Sequence, residues 1–228
     1  MTKKTKKIPQ KSIQVVTLDN GKCFKVSGRM TDKMDNIRSL NTSLTLNENC
    51  QRNRSIKNSI CKHCYSYGSE KRYKNSHAMW ALNYNTLSKQ VLKNSEIPVF
   101  TKDEIFRFNA HGDLVNRTHY NNLIKIAKKN PDVKFAIWTK NLDVVFSGKG
   151  LIELDNLTHV YSDLFLNNLD DIELPDGFDK VFRVYDTKTL RENKHIKVNC
   201  KKSCFDCQLC YRKNKITVII EKIKSSSK

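Results

Sequence analysis

The sequence predicts an α/β fold built on a mainly parallel sheet. Segments rich in β-branched and aromatic residues alternate with amphipathic segments at short intervals, as they do where each helix links two parallel strands. The 228 residues include 38% hydrophobic side chains, which is enough for one full core, or for one large and one small domain. The composition is therefore that of a globular protein and not that of a disordered chain.

The first predicted element is a β-hairpin. Ser12–Leu18 is rich in β-branched residues, and Asp19-Asn20-Gly21-Lys22 is a strong hairpin turn. Cys23–Ser27 supplies the second strand. Before the hairpin, residues 1–11 are lysine-rich and are predicted to form a basic flexible tail. After it, Arg38–Asn49 is polar and has no periodicity that predicts a helix or a strand.

The remaining elements alternate between helix and strand. The predicted helices are Glu70–Leu92, Tyr120–Lys129 and Asn141–Phe146, and the predicted strands are Glu104–Asn109, Val133–Thr139, Thr158–Ser162, Lys180–Tyr185 and Ile216–Ile220. Sites in parallel α/β sheets lie at the carboxyl ends of the strands. We therefore expect a site near the turn Ala110–Leu114, with Thr139-Lys140 and Ser162-Asp163 beside it.

We divide the chain into three parts. Residues 1–11 are the tail, residues 12–199 form the α/β domain, and residues 200–222 form a cysteine-rich loop and a terminal strand packed on that domain. No apolar run reaches the roughly 20 residues that a membrane span needs. The lysine-rich segment Met1–Lys7 is not followed by the apolar region of a secretory signal. We therefore expect a cytoplasmic protein that does not bind membranes.

The formal net charge of +19 is large for a chain of this length. Such an excess of lysine and arginine suggests nucleic acid or another polyanion as a partner. The alternative is a composition biased towards lysine and asparagine, in which the lysines only solvate the surface. No recognition-helix pattern and no RNA-binding signature decides between these interpretations.

Four cysteines lie within a short C-terminal loop. The spacing Cys200-x3-Cys204-x2-Cys207-x2-Cys210 lets the loop wrap its thiolates around one inorganic centre. A [4Fe–4S] cluster requires this, because each iron takes one thiolate. Structural zinc sites usually divide their ligands between two separated Cys-x-x-Cys pairs, so the compact run favours the cluster over zinc. Disulfides are a third option, and they belong to oxidising compartments.

A second group of cysteines, Cys50, Cys61 and Cys64, has the spacing Cys-x10-Cys-x2-Cys. Three thiolates on a [4Fe–4S] cluster leave one iron without a protein ligand, and this open iron is able to bind a small molecule. His63 or His77 could instead complete a zinc site with the three cysteines. A further alternative is that these are buried thiols without a metal, since a Cys-x-x-Cys pair often arises by chance.

Further candidate site residues lie on and after the Glu104–Asn109 strand. His111 and Asp113 form a candidate acid–base pair in the turn that follows it. Arg107 alternates with hydrophobic neighbours, so it faces the opposite side of the strand from them. There it would bind an anionic ligand or form an internal ion pair, which is the more frequent role of a buried arginine. No phosphate-binding loop, dinucleotide glycine fingerprint or His-Glu-x-x-His motif is present.

The order of several short motifs resembles the phage "gene product 88" family. The motifs are Asn41-Thr42, Cys50, Cys61-x2-Cys64-Tyr65, Phe106–Leu114, Phe135-x2-Trp138-Thr139-Lys140, Asp155-Asn156-Leu157 and the C-terminal cysteines followed by Tyr211. Together they span roughly residues 38–222. The family occurs in phages and related mobile elements. The resemblance therefore implies a phage protein in the cytoplasm of a host cell, and it implies no particular activity.

The chain is also similar, more loosely, to radical S-adenosylmethionine (SAM) enzymes. These enzymes have a partial or full (β/α) barrel, three cysteines after the first barrel strand, and a Gly-Gly-Glu turn after the second strand. Here Cys50, Cys61 and Cys64 match the three cysteines. Gly112-Asp113 matches the turn. The departures are a first cysteine gap of ten residues in place of three, and a turn with a single glycine and an aspartate.

This second similarity implies a (β/α) barrel-like or partial-barrel core and a radical-SAM-like enzyme. Its cofactors would be one or two [4Fe–4S] clusters, of which the C-terminal one is auxiliary, and SAM. The residues predicted to contact SAM are Arg107, Asn109, Gly112 and Asp113. A redox partner would supply electrons. The alternative is a basic nucleic-acid-binding protein whose iron–sulfur or zinc sites only stabilise the fold.

Overall fold

A computed structural model describes residues 13–28, 30, 32–147, 150–171, 173–200 and 203–223. The predicted basic tail, residues 1–11, lies outside these ranges. The strands are β1 (Gln14–Thr17), β2 (Cys23–Val26), β3 (Arg38–Leu40), β4 (Ile105–Phe108), β5 (Lys134–Thr139), β6 (Leu157–Leu166), β7 (Lys180–Tyr185) and β8 (Val218–Lys222). The α-helices are α1 (Glu48–Ser55), α2 (Tyr65–Arg72), α3 (Lys74–Leu87), α4 (Arg117–Lys129), α5 (Leu142–Phe146), α6 (Thr187–Glu192) and α7 (Cys204–Cys207). Short 3₁₀ helices are Asp32–Met34, Ile60–His63, Asn94–Glu96 and Leu209–Tyr211.

The hairpin forms as the sequence predicts. Strands β1 and β2 pair antiparallel, from Gln14 opposite Val26 to Thr17 opposite Cys23. Gly21 provides the left-handed backbone of the turn, with φ of +79°. Within the described ranges, no helix is long and apolar enough to cross a membrane.

The central sheet has six parallel strands in the order β3-β4-β5-β6-β7-β8, which is also their order in the chain. Each connection therefore steps to the next strand in the same direction. Because such crossovers are almost always right-handed, connections that step in one direction tend to lie on one face of the sheet. The β7–β8 connection is different, because its residues 204–211 pack on the opposite face. The α/β fold with a parallel sheet is confirmed, and it has the topology of a partial barrel with β3 and β8 as its edges.

One face of the sheet holds the larger hydrophobic core. Phe106 and Phe108 of β4 and Phe135 of β5 point to this face, and the rings of Phe108 and Phe135 stack at 4.9 Å. Leu123 and Ile126 of α4 pack into the same cluster. This core fixes the helical layer against the strands.

The opposite face is covered by the C-terminal cysteine loop. Ile105, Ala136 and Phe182 point to this side and form a second cluster with Cys210 and Tyr211. The 3₁₀ helix that carries Cys210 packs on β5 and β6. The loop thus occupies the side of the sheet that would be the interior if the barrel were closed.

Several elements differ from the prediction. Arg38–Leu40 forms strand β3, because backbone pairing to β4 imposes an extended conformation that three residues alone do not signal. The predicted helix over Glu70–Leu92 is two helices, since Tyr73 between them adopts an extended backbone with φ of −108° and ψ of +99°. Strand β6 runs to Leu166, beyond the predicted end at Ser162.

Candidate metal centres

Two polar side chains fix the backbone around the N-terminal cysteine group, Cys50, Cys61 and Cys64. The Asn47 side-chain oxygen caps α1 and accepts hydrogen bonds from the amides of Asn49 (3.0 Å) and Cys50 (3.4 Å). The Ser59 hydroxyl accepts a hydrogen bond from the amide of Cys61 (3.1 Å). Helix capping therefore sets the positions of the first two thiols.

The three N-terminal thiols act on one another electrostatically. Burial raises the pKa of the Cys50 thiol well above its ordinary value, and negative charge on Asp113, Cys61 and Cys64 raises that pKa further. Burial also raises the pKa of Cys61. Helix α1, which carries Cys50, also contacts the 3₁₀ helix that carries Cys61, so the fold brings the two segments together across the residues that separate them in sequence.

Lys140 is the cation of this N-terminal group, and it lowers the pKa of both Cys50 and Cys61. Its ammonium group donates hydrogen bonds to the carbonyls of Ser162 and Asp163, at 3.1 Å each, and to the Ser162 hydroxyl. These contacts hold the ammonium group just beyond the carboxyl end of β5, against residues within β6. A thiolate formed there would have a fixed positive charge nearby.

The C-terminal cysteine group is Cys200, Cys204, Cys207 and Cys210, and its four side chains line one pocket. The other lining residues are Gln208, Leu209, Tyr211 and Ile219. The Ser203 hydroxyl caps α7 by accepting a hydrogen bond from the Asp206 amide (3.2 Å). The chain then reverses at Gln208, which has φ of +48°. The four thiols are therefore gathered around one enclosed space rather than spread over the surface.

Burial raises the pKa of Cys200, Cys204 and Cys210 in this group. Two cations act in the opposite direction. Lys33 lowers the pKa of Cys200, and Arg107 lowers that of Cys204 and Cys210. In the metal-free chain these thiols are consequently neutral at pH 7, and a positive charge already faces them.

Arg107 is buried on the same face of the sheet as the C-terminal cysteine group. The residue is 8% exposed, and its guanidinium lies 3.7 Å from the centre of the Trp138 ring. Its Nε has no hydrogen-bond partner in the described part of the chain, and its guanidinium lowers the pKa of the nearby Tyr211 hydroxyl against the larger effect of burial. Arg107 also contributes to the lowered pKa of His111 in the turn after β4. Its charge therefore acts on residues near both cysteine groups.

Arg183 on β7 provides a contrast. It is equally buried, but its Nε lies 2.9 Å from the carboxylate of Asp163. Its terminal nitrogens donate to the carbonyls of Asp170 (2.6 Å) and Asp171 (3.1 Å). Arg183 therefore has the internal ion pair that a buried arginine requires, and Arg107 lacks one among the described residues.

The predicted acid–base pair occupies one turn, but its two side chains face different partners. The His111 Nδ1 lies 2.8 Å from the Ser66 hydroxyl, and the ring stacks on Trp80 at 4.4 Å. Burial, with a smaller contribution from Arg107, lowers the pKa of His111 to about 4. His111 is therefore neutral at pH 7, and its assignment as an acid–base residue stays a prediction.

The Asp113 carboxylate links the turn to the end of β5. It accepts hydrogen bonds from the Leu114 amide (2.7 Å), the Thr139 hydroxyl (2.5 Å) and the Lys140 amide (3.0 Å). Burial raises the pKa of Asp113, and these donors oppose that effect. Three hydrogen bonds already use this carboxylate, so the geometry gives Asp113 a structural role beside the thiols.

Gly112 is required by a close approach of the backbone. A Cβ atom at this position would lie 2.5 Å from the Thr42 carbonyl oxygen and 2.6 Å from the Thr42 hydroxyl oxygen. The residue also has φ of +85°, which side chains other than glycine rarely adopt. The glycine therefore lets the turn after β4 pack on the loop after β3.

Asn109 directly follows β4, and its buried side chain makes no hydrogen bond to another described residue. It adopts φ of +53°, and its amide donates to the Leu40 carbonyl (3.0 Å). The residue is 4% exposed, yet neither atom of its carboxamide has a hydrogen-bond partner in the described ranges. Of the four residues predicted to contact a cofactor, Arg107 and Asn109 are thus the two with buried polar atoms available.

The sequence alone predicts no individual role at this site for Lys140, Trp138 or Tyr211. The signal for Lys140 was its place directly after a strand, where the sequence predicts a site. Trp138 lies two residues earlier on β5, so strand alternation places it on the same face as Ala136. Tyr211 follows the last C-terminal cysteine, and nothing local in the sequence indicates that its hydroxyl is buried.

The thiols of the two cysteine groups are not arranged around a single metal ion. Among the described residues, no group of three or more Cys, His, Asp or Glu side chains has the geometry that would hold one. A tetrahedral zinc site requires sulfur atoms about 2.3 Å from one ion, whereas the thiolates of an iron–sulfur cluster bind different irons.

Comparison with known proteins gives one result that covers most of the chain. No curated protein and no solved structure matches it. The family model described as Gene product 88 matches residues 14–222, a range that includes both cysteine groups and all eight strands. This match confirms the family resemblance of the sequence motifs. The chain belongs to the Gene product 88 family.

Proposed function

We propose that this protein is an iron–sulfur protein with a closed [4Fe–4S] cluster on the C-terminal cysteine group and an open one on the N-terminal group. The observation that carries the proposal is the gathering of seven cysteines into two sets, each beside a cation: Arg107, which has no ion pair among the described residues, at the C-terminal group and Lys140 at the N-terminal group. Four thiolates saturate a cubane cluster, and three leave one iron free.

Arg107 supports an anionic centre in the C-terminal pocket. A buried charge without a partner is costly, and without a metal the Cys204 and Cys210 thiols that Arg107 acts on are neutral. Four thiolates bound to an iron–sulfur core leave a net negative charge on the centre. Arg107 would then face its counter-charge, and the Tyr211 hydroxyl would have acceptor atoms within the same pocket. Zinc bound by four thiolates also carries negative charge, so metal analysis must distinguish the two.

The open N-terminal cluster supports a radical-SAM-like enzyme. The three cysteines follow β3, the first strand of the parallel sheet, and Gly112-Asp113 follows β4, the second. This order of strands and motifs supports the proposal, while the first cysteine gap of ten residues and the single glycine depart from the enzymes' pattern. When bound and reduced by one electron from a redox partner, such a cluster would supply the reductive cleavage of SAM. Lys140 would hold the ligating sulfurs as thiolates, and the free carboxamide of Asn109 would orient a bound ligand at the strand ends.

The proposal is tested by loading the metal-free protein with iron and sulfide under anaerobic conditions. We expect about eight irons per chain for two [4Fe–4S] clusters. Replacing Cys204 and Cys207 with serine should remove about four irons, and replacing Cys61 and Cys64 should remove the other four. Cys23→Ser is the matched control, because Cys23 lies outside both groups and its substitution should leave the iron count unchanged.

A second measurement separates the enzyme from a structural iron–sulfur protein. After reduction with dithionite, the loaded protein should cleave SAM to 5′-deoxyadenosine, and the Cys61→Ser/Cys64→Ser variant should not. A wild-type count near four irons would remove the open cluster. Bound zinc without iron, under the same loading conditions, would replace the proposal with two structural zinc sites.

A further inference from the structure

We propose that the surface around the N-terminal cysteine group binds single-stranded nucleic acid. The surface, called the basic aromatic face here, comprises the exposed side chains of residues 52–74, from α1 through α2. One part of this inference rests on the proposed function, namely that the bound strand is the substrate of the N-terminal centre. Binding of the strand does not itself require a metal.

The basic aromatic face has a strong excess of positive charge. Its seven cations are Arg52, Arg54, Lys57, Lys62, Lys71, Arg72 and Lys74, of which Arg52 is paired with the exposed carboxylate of Asp143 (3.1 Å). Its single acidic residue, Glu70, is 1% exposed and accepts hydrogen bonds from the amides of Leu44 and Thr45. Glu70 therefore does not offset the surface charge where a ligand would bind. Such a concentration of cations attracts phosphate backbones.

Tyr65 offers an exposed ring that is held in place. The residue is 67% exposed, although its hydroxyl donates a hydrogen bond to the carbonyl of Ala110 (3.1 Å). The ring also meets His111 edge-on at 5.6 Å. Because both contacts restrict the ring, stacking a base on its open face would lose little conformational entropy. Tyr65 directly follows Cys64, so that base would lie next to the proposed open centre.

Two more tyrosines belong to the basic aromatic face: Tyr67 lies within α2, and Tyr73 directly follows that helix. Arg54 lies 3.5 Å from the ring centre of Tyr67, and the ammonium of Lys71 lies 4.6 Å from it. Tyr73, which ends α2, is 54% exposed. Interleaved cations and aromatic rings are the usual surface of proteins that bind single strands, since the cations hold phosphates and the rings stack bases.

The aromatic rings favour nucleic acid over an acidic protein. An acidic protein would need only the cations, whereas exposed tyrosines gain a specific partner when flat bases stack on them. A duplex keeps its bases stacked internally and does not offer them to a tyrosine ring. We therefore expect binding to single strands of RNA or DNA, weaker binding to duplexes, and still weaker binding to polyglutamate.

The experiment measures fluorescence anisotropy of labelled single-stranded RNA and DNA, about 16 nucleotides long, with the anaerobically prepared protein at several salt concentrations. Tyr65→Ala and Tyr73→Ala should each weaken binding about tenfold, since stacking contributes at that level. Tyr65→Phe should retain most of the affinity, because the ring remains. Lys71→Gln/Arg72→Gln should lower the slope of log affinity against log salt by about 1.4, or about 0.7 for each lost phosphate contact.

The matched controls are Phe146→Ala, an exposed aromatic residue on α5, and Lys128→Gln/Lys129→Gln at the end of α4. Both should leave affinity unchanged. Equal losses in these controls, or polyglutamate that competes as well as RNA, would overturn the inference. Iron content is measured on the same samples. A sample that has been loaded with iron and sulfide, retains no iron and still binds the strand through Tyr65 would refute the iron–sulfur proposal alone. A sample that retains iron and binds no strand would refute this inference alone.

Discussion

The Arg107 guanidinium lies over the Trp138 ring, 3.7 Å from its centre, on the face of the sheet that the C-terminal cysteines cover. The stacked ring holds the cation but supplies no negative charge. No described carboxylate pairs with this arginine. The relationship makes Arg107 a sensitive test of whether the four-thiol pocket holds an anionic centre.

Replacing Arg107 with methionine should have opposite effects on the two forms of the protein. The metal-free form should become no less stable, because an unpaired buried charge is removed. The iron-loaded form should lose about 3 kcal/mol, since the cluster then lacks its counter-charge. Urea unfolding of both forms measures the difference. Arg183→Met is the control, and it should destabilise both forms by about 3–5 kcal/mol because Asp163 is left unpaired.

Gly112→Ala should destabilise the protein by about 2–4 kcal/mol. The new methyl group would lie 2.5 Å from the Thr42 carbonyl oxygen, and alanine would have to adopt φ of +85°. Chemical unfolding of the metal-free chain measures the loss. Gly68→Ala is the matched control within α2, where nothing lies within 4 Å of the added Cβ. That control should be neutral or stabilising by up to about 1 kcal/mol, and an equal loss in both variants would contradict the packing argument.

Stability should rise with pH between about 4 and 6.5. Burial lowers the pKa of His111 and His119 to about 4 in the folded chain, from the ordinary value of 6.5. In that pH window the unfolded chain binds more protons than the folded one, so the free energy of unfolding falls as the solution is acidified. His119 is fully buried and should contribute about 3 kcal/mol across the window.

The pH effect is measured by urea unfolding of the metal-free chain at several pH values from 4.5 to 7.5. His119→Gln should reduce the slope of stability against pH by about half, since His111 still titrates. The thiols do not interfere in this range, because burial raises their pKa values. A stability curve that is flat between pH 5 and 6.5 would show that neither histidine is held neutral by the fold.

Lys140→Met should slow the alkylation of Cys61 in the metal-free chain. Lys140 lowers the pKa of this thiol, and only the thiolate reacts with iodoacetamide. We expect a rate roughly two- to fivefold lower at pH 8, measured by mass spectrometry of the modified peptide. Lys140→Arg keeps the charge and should retain most of the rate. Cys23 serves as the internal reference, and an equal change at both cysteines would indicate a general loss of structure.

Local patterns were sufficient to predict most of the secondary structure. The hairpin is specified by a four-residue turn between β-branched runs, and β7 has the predicted bounds. Both depend on residues a few positions apart. Strand β3 has no such signal, because its extended backbone is stabilised by pairing with β4, more than sixty residues later. Helix α1 also has no signal in the sequence, because the helix and its cap, Asn47, lie in a polar stretch without apolar periodicity.

The sequence alone determined the alternating α/β order, the cysteine spacings and the polar turn after β4, since each of these is written in neighbouring residues. Only the tertiary structure decided that Arg107 is unpaired while Arg183 is not, and that the Asp113 carboxylate is already used by Thr139 and Lys140. The reason is physical. Whether a buried polar group is free depends on partners that strand pairing brings from distant parts of the chain, and spacing along the sequence carries no record of them.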